Sequence, residues 1–347
     1  MGDILHALPA VTALRAAHSG WHIGWVVDPR WRALLAAPEI RKQTANSSSP
    51  RGVAQPLVDE LHFAAVKEWG RRPLTVQTAR EIAALRRELR AGRYDAVVDL
   101  QGAIRSALIA RMAGTRRVIG EMHPRERAAR QFFSERVPTH GAHVIEQDVE
   151  LASAIAGDAL RYTAPLLPVS PAAEAWAETL FRPLASRPVA LLTPGAGWGA
   201  KRWPPERYAT VAKGLTERGM HVLVNSGPGE ESLARAIEND SCGVARPVTA
   251  SLDELIALTR RIRLCIGGDT GPLHLACALG RPVVGIYGPT DPGRNGPYGT
   301  RFTALRSPLS LRDHSRRAEP EAGLLTITPE DVLRSAATLL AGENSQR

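Results

Sequence analysis

Ile266-Gly-Gly-Asp-Thr-Gly-Pro-Leu-His274 sets two glycines, a carboxylate, a hydroxyl and an imidazole close together in the chain. The mostly apolar run from Ile262 to Ile266 enters it and reads as a buried strand. Gly267 and Gly268 permit a tight turn. Asp269 or Thr270 can cap a helix through Leu273 to Leu279, which Gly280 closes. Strand, Gly-rich turn and capped helix point free N–H groups and a positive helix end at an anion. Farther on, the strand Pro282–Tyr287 runs into Gly288-Pro-Thr-Asp-Pro-Gly293. Both loops follow the C-terminal end of a strand, where open α/β sheets bind ligands. The expected ligand is phosphorylated, a nucleotide sugar foremost.

Other residues admit two readings each. Gly195-x-Gly197-x-Gly199 lacks the dinucleotide spacing and a well-placed acidic residue beyond it, which argues against NAD. With Lys201 just past it, the loop is either a phosphate cradle or a plain turn beside a surface lysine. Asp3, at the start of the first helix, is a general base for a sugar hydroxyl or a first-turn acid complementing the helix dipole; from the residues alone the second is favoured. His274 packs its helix or faces the anion. Asp291 caps a turn or binds a ligand. No catalytic Ser-His-Asp order, Walker loop or kinase set is present, and no clustered carboxylates call for a divalent ion.

The elements that must position these residues alternate between helix and strand. The first half reads as a helix from Asp3 to His18, a strand Ile23–Val27, a helix Val76–Arg93 and a strand Tyr94–Leu100. A helix from Ile104 to Ala113, a short strand at Arg117–Gly120 and a helix from Glu146 to Ile155 follow. Pro9 is tolerable only in or near the first turn of its helix. A parallel α/β sheet normally begins with a strand, so the strand expected before Met1 is missing. Such a chain should be unstable or poorly active. Residues 43–55, with three consecutive serines, read as a loop. The second half has strands at Pro188–Leu192 and His221–Asn225, helices from Glu206 to Arg218 and on to Ile237, and a Ser251/Glu254 capping box opening Leu252–Arg260. Thr328-Pro-Glu-Asp starts a last helix reaching Ala341. The expected architecture is two doubly wound α/β domains facing each other across a cleft. They would be residues 1–163 and 176–327, joined by a Pro-rich linker at 164–175 and followed by a helix and tail at 328–347.

The totals narrow the function classes. A chain of 347 residues, 44% hydrophobic, can bury two ordinary cores. No apolar stretch is long enough to span a membrane, and no secretory signal is visible. Cys242, Cys265 and Cys277 have no metal spacing, which suggests a reducing compartment and no structural zinc. The net charge of +9 is uneven: Lys67 to Arg136 holds 16 basic and 8 acidic residues, so 16 − 8 = +8 lies there. That field suits an anionic partner, or is an Arg-rich solvated surface. Aromatics are only 5% and do not interleave with the basic residues, which argues against nucleic acid.

Taken together, five motifs in order resemble glycosyltransferase family 9, the bacterial heptosyltransferases. They are Met1-Gly-Asp-Ile-Leu-His-Ala-Leu-Pro9, Tyr94-Asp-Ala-Val-Val-Asp-Leu-Gln-Gly102, Lys201-Arg-Trp-Pro204, Gly268-Asp-Thr-Gly-x-x-His274 and Gly288-Pro-Thr-Asp-Pro-Gly293. Lys67-Glu-Trp-Gly-Arg-Arg72 and Arg125-Glu126 look most like heptosyltransferase I of that family. The resemblance implies a GT-B fold and an inverting transfer that needs no metal and no cofactor. The donor would be ADP-L-glycero-β-D-manno-heptose and the acceptor the Kdo disaccharide on lipid A. It implies Asp3 as catalytic base and Lys201 as the cation at the leaving diphosphate. Glu231 (with Glu230 adjacent), Asp269, Thr270, Gly271, His274, Thr290 and Asp291 would form the donor site. Lys67, Arg71, Arg72 and Arg125 would face the anionic acceptor at a membrane surface. A monomer at the cytoplasmic face of the inner membrane is expected. The family's strand before Met-Gly-Asp has no counterpart, and Gly197 and Trp198 depart from the heptosyltransferase I pattern. The alternatives are another sugar transfer in the same family, a nucleotide-sugar epimerase on the same architecture, and a non-catalytic nucleotide-binding protein.

Overall fold

The computed structural model describes residues 1–40, 52–311 and 317–341. Most of the loop expected at 43–55 therefore lies outside the described residues. The chain divides into two compact units that meet between Val169 and Ser170, inside the stretch expected to be a linker.

The first unit contains α1 (Gly2–Ala17), β1 (Gly24–Val27), β2 (Glu60–Phe63), α2 (Val66–Arg71), α3 (Val76–Ala91), β3 (Ala96–Asp99), α4 (Ile104–Met112), β4 (Arg117–Glu121), β5 (Glu135–Val137) and α5 (Val144–Ala156). Helix α1 is buried continuously from Leu5 to Arg15 rather than along one stripe. Pro9 sits in its middle, not its first turn, removing one helical N–H and crowding the preceding turn at a cost of about 3 kcal/mol. Burial of Leu5, Leu8, Val11 and Leu14 offsets that cost. Arg15 anchors the buried end: its guanidinium donates to the Leu57 carbonyl at 2.9 Å and the Trp21 carbonyl at 2.6 Å, and pairs with Asp59.

All pairings in this unit are parallel, but β1–β2 and β3–β4–β5 are separate ladders, and among the described residues none joins β1 to β3. Tyr94 links the two. It lies just ahead of β3, and its hydroxyl is 2.7 Å from His62 Nε2 on β2 and donates to Glu60 at 3.2 Å. A Cβ on Gly24 of β1 would fall 2.1 Å from that hydroxyl, so the ring lies directly against the β1 backbone.

The second unit contains α6 (Pro171–Phe181), β6 (Val189–Thr193), α7 (Pro205–Glu217), β7 (His221–Asn225), α8 (Glu231–Asp240), β8 (Ala245–Val248), α9 (Leu252–Thr259), β9 (Leu264–Gly268), α10 (Gly271–Ala278), β10 (Val283–Tyr287), α11 (Pro292–Asn295), β11 (Phe302–Arg306) and α12 (Pro329–Ala341). Helix α6 starts where the Pro-rich linker was expected to continue: Ser170 caps it by accepting from Ala173 N–H, and Pro171 takes the first position. The six strands form one parallel sheet in the order β11-β10-β9-β6-β7-β8. That is a doubly wound order whose direction reverses between β6 and β9. β6, β9 and β10 are buried along their whole length. One core spans the unit, with Trp203 and Tyr208 packed edge to face at 5.0 Å. Trp203 Nε1 donates to the Ile327 carbonyl, and Val332, Ala336 and Leu339 of α12 enter the same core. The last helix is thus part of this unit rather than a separate appendage.

Candidate functional site

The crevice beyond the C-terminal ends of β6 and β9 is where a doubly wound sheet binds ligands. Here these ends carry the Gly-rich loop after Thr193 and the Asp269–Thr270 turn. The strands approach so closely that a Cβ on Gly267 would meet Thr193 Oγ1 at 1.9 Å. A Cβ on Gly268 would meet the Lys201 carbonyl at 3.3 Å, so the glycine lets the Lys201 segment close over the turn.

Asp269 is the centre of this site. One carboxylate oxygen is ion-paired with Lys201 Nζ, and the other lies 2.9 Å from His274 Nε2. The side chains of all three are at most 11% exposed. Burial works against charge on Asp269, but the His274 hydrogen bond and the neighbouring charges of His274 and Lys201 outweigh it and hold the carboxyl well below its ordinary range. With Asp269 ionised, His274 Nε2 is the donor. Lys201 Nζ also lies over the Trp198 ring at 4.3 Å. The hydroxyls of Thr270, Tyr287 and Thr290 are buried and have no hydrogen-bond partner among the described residues. Thr270 is the N-cap of α10 without a side-chain cap bond, so its hydroxyl stays available. Gly271 is the first residue of α10 and Thr290 lies in the loop after β10.

Asp291 caps the start of α11, its Oδ1 accepting from Gly293 N–H at 3.0 Å. Glu231 opens α8 with an exposed carboxylate that accepts from Gly229 N–H at 3.2 Å. Hydrogen bonds from its own and Gly229's backbone N–H hold it below the usual carboxylate value. Its neighbour Glu230 is the one turned to the Gly-rich loop. A Cβ on Gly195 would fall 2.2 Å from the Glu230 carboxylate, which also accepts from Gly227 N–H.

The first unit holds a second cluster. Asp3 lies in the first turn of α1 with its side chain 58% exposed. Its Oδ2 accepts from Gln101 Nε2 at 2.9 Å and lies 3.9 Å from Arg125 Nη1. Lys67, Arg71 and Arg72 are exposed on and just after α2, in a run that leaves Leu74 98% exposed. The structure thus brings Arg125 to Asp3, and Lys201 and His274 to Asp269. Sequence reasoning did not single out Gln101 or Tyr287, and it named Glu230 only as the neighbour of Glu231. Gln101 and Tyr287 stood inside recognised segments, and only the fold shows what their side chains meet. Among the described residues no group of three or more His, Cys, Asp or Glu could hold a metal ion.

The profile of Glycosyltransferase family 9 (heptosyltransferase) matches residues 82–324, well over half of the chain. The chain belongs to that family. This glycosyltransferase is 28% identical over 320 residues to lipopolysaccharide heptosyltransferase 1 of Escherichia coli K12, covering 89% of this chain and 91% of that one. It is 31% identical over 194 residues to lipopolysaccharide heptosyltransferase 2 of the same organism, covering 52% of this chain and 55% of that one. The solved family 9 glycosyltransferase of Veillonella parvula superposes with a TM-score of 0.79 at 21% identity, covering 99% of this chain and 95% of that one. E. coli heptosyltransferase WaaC with ADP-2-deoxy-2-fluoro heptose gives 0.74 at 23%, covering 97% and 96%. The fold is therefore GT-B, with two Rossmann-like units. Family membership decides for a transferase over the epimerase and the non-catalytic binding protein.

Proposed function

We propose that this glycosyltransferase moves L-glycero-D-manno-heptose from ADP-heptose to Kdo of Kdo2-lipid A, in assembly of the lipopolysaccharide inner core. The observation that carries the reading is the Lys201–Asp269–His274 cluster at the switch point of the second sheet. A doubly negative diphosphate entering there meets a lysine held beside a helix N-terminus. Asp269 holds Lys201 and His274 in place, and the lysine can turn to the phosphates as negative charge builds on the leaving ADP. The unpartnered Thr270 and Thr290 hydroxyls suit phosphate or sugar oxygens, and Glu230 or its neighbour Glu231 suits a nucleotide hydroxyl. In this reading the leaving group is stabilised by protein groups, without a metal or cofactor.

Asp3 takes the proton from the acceptor hydroxyl as that oxygen attacks the anomeric carbon. The C–O bond forms as the sugar–phosphate bond breaks, with inversion. Lys67, Arg71, Arg72 and Arg125 suit an acceptor rich in carboxylates and phosphates, and exposed Leu74 and Val76 suit a peripheral position on an anionic inner-membrane surface. No described helix is long and apolar enough to cross a membrane. The second reading, addition of the second heptose, is favoured by the 31% identity to the E. coli heptosyltransferase 2.

The test offers ADP-heptose with either Kdo2-lipid A or its singly heptosylated product and measures ADP release with product mass. Product from Kdo2-lipid A alone supports the first reading. Product only from the heptosylated acceptor overturns it in favour of the second.

A further inference from the structure

We infer that Gln101 is the positioning residue for Asp3, holding one carboxylate oxygen so that the other is left to receive the acceptor's proton. This rests on the proposed role of Asp3 as general base. Gln101 Nε2 donates to Oδ2 at 2.9 Å, and Arg125 Nη1 stands 3.9 Å from the same oxygen. No partner for Oδ1 is found among the described residues. An exposed aspartate at a helix start would otherwise sample several rotamers. A fixed donor on one oxygen removes that freedom and orients the remaining lone pairs.

The backbone that carries the donor is fixed by bonds that do not involve the Gln101 side chain. At the end of β3, Asp99 Oδ1 accepts from the backbone N–H groups of Gln101 at 2.9 Å and Gly102 at 3.1 Å. Its Oδ2 accepts from Ser106 Oγ at 2.9 Å. Gly102 adopts a positive φ of 64°, and a Cβ there would press on the Arg125 N–H at 3.0 Å. The Gly102 carbonyl accepts from Glu126 N–H at 2.9 Å, while Glu126 Oε2 accepts from Ile104 N–H. The turn that carries Gln101 is thus closed from both sides, and one of its flanks carries Arg125. The amide side chain is the one group of residue 101 that reaches Asp3. Its removal leaves the hydrogen bonds of the turn in place.

The experiment compares wild type, Gln101→Leu, Gln101→Glu and Asp3→Asn with ADP-heptose and the acceptor that wild type uses, recording kcat, KM and the pH profile of kcat. Gln101→Glu keeps the shape but offers no donor when ionised. The expected result is a kcat lowered about 10- to 100-fold in both Gln101 variants, with KM for donor changed less than about twofold. Wild-type kcat and profile in Gln101→Leu, with Asp3→Asn inactive, would overturn the positioning role and leave Asp3 as the base. Full activity in Asp3→Asn would overturn the base assignment and this inference with it.

Discussion

The two units are built from the same alternation of strand and helix, yet they hold together differently. In the second unit six parallel strands form one uninterrupted sheet, and β6, β9 and β10 are buried throughout. Among the described residues of the first unit five strands form two ladders, and β1 and β3 are mostly half-buried. The chemistry follows the same division. The second unit buries a lysine, an aspartate and a histidine around one another, which demands a rigid frame. The first keeps Asp3 and the cations Lys67, Arg71, Arg72 and Arg125 exposed.

The sharpest way to break this comparison is Asp269→Ala. It leaves Lys201 and His274 buried without their shared carboxylate, and the second unit should lose about 3–5 kcal/mol and its affinity for ADP. Denaturant unfolding with calorimetric ADP titration checks both; unchanged stability would show that the cluster is not held by charge. Next is Tyr94→Ala, which removes the ring bridging the two ladders. The first unit should lose about 2–3 kcal/mol, less than a fully buried aromatic, with the second unit's transition unmoved. Tyr94→Phe should lose about 1 kcal/mol. Equal effects on both transitions would contradict the division.

The smallest expected effect is a pH dependence carried by His62 in the first unit. Burial pushes His62 below its ordinary value, against the opposing pull of Glu60 and Glu88. The unfolded chain therefore takes up a proton at about pH 6.5, while the folded unit resists protonation. The contribution of His62 should fall as pH drops from there through the lowered folded value, and be fully present above. Burial raises the Asp99 and Asp148 carboxyls of the same unit, which act in the opposite sense, so the reading is the difference between wild type and His62→Gln in the midpoint of the first transition between pH 8 and pH 5. Wild type should lose more on acidification than the variant; the reverse order would contradict the sign.

The second unit was largely legible in the sequence because its central strands are continuous apolar runs that end in Gly-rich loops. Edge strands were not: β8 is Ala245-Arg-Pro-Val248 and β11 ends in Arg306, so neither shows a clean apolar run. In the first unit β2, Glu60-Leu-His-Phe63, and β5, Glu135-Arg-Val137, are too short and polar to declare themselves. The start of α6 was hidden because Pro171 looks like a linker residue when it is in fact the first residue of a helix. The site split in the same way. Lys201, Asp269 and His274 stood out by type and spacing. Gln101 did not, because its meaning lies in what a turn brings near it, and Glu230 was named only as the neighbour of Glu231, because the missing Cβ of Gly195 is what shows which loop it faces.

The most direct test of the central claim is turnover by wild type and Asp3→Ala with ADP-heptose and Kdo2-lipid A, read as ADP release and product mass beside ADP affinity. Wild type should add one heptose, and Asp3→Ala should lose turnover while binding ADP as wild type does. Asp3→Ala turning over at the wild-type rate would contradict the claim that the exposed aspartate of the first unit does the chemistry.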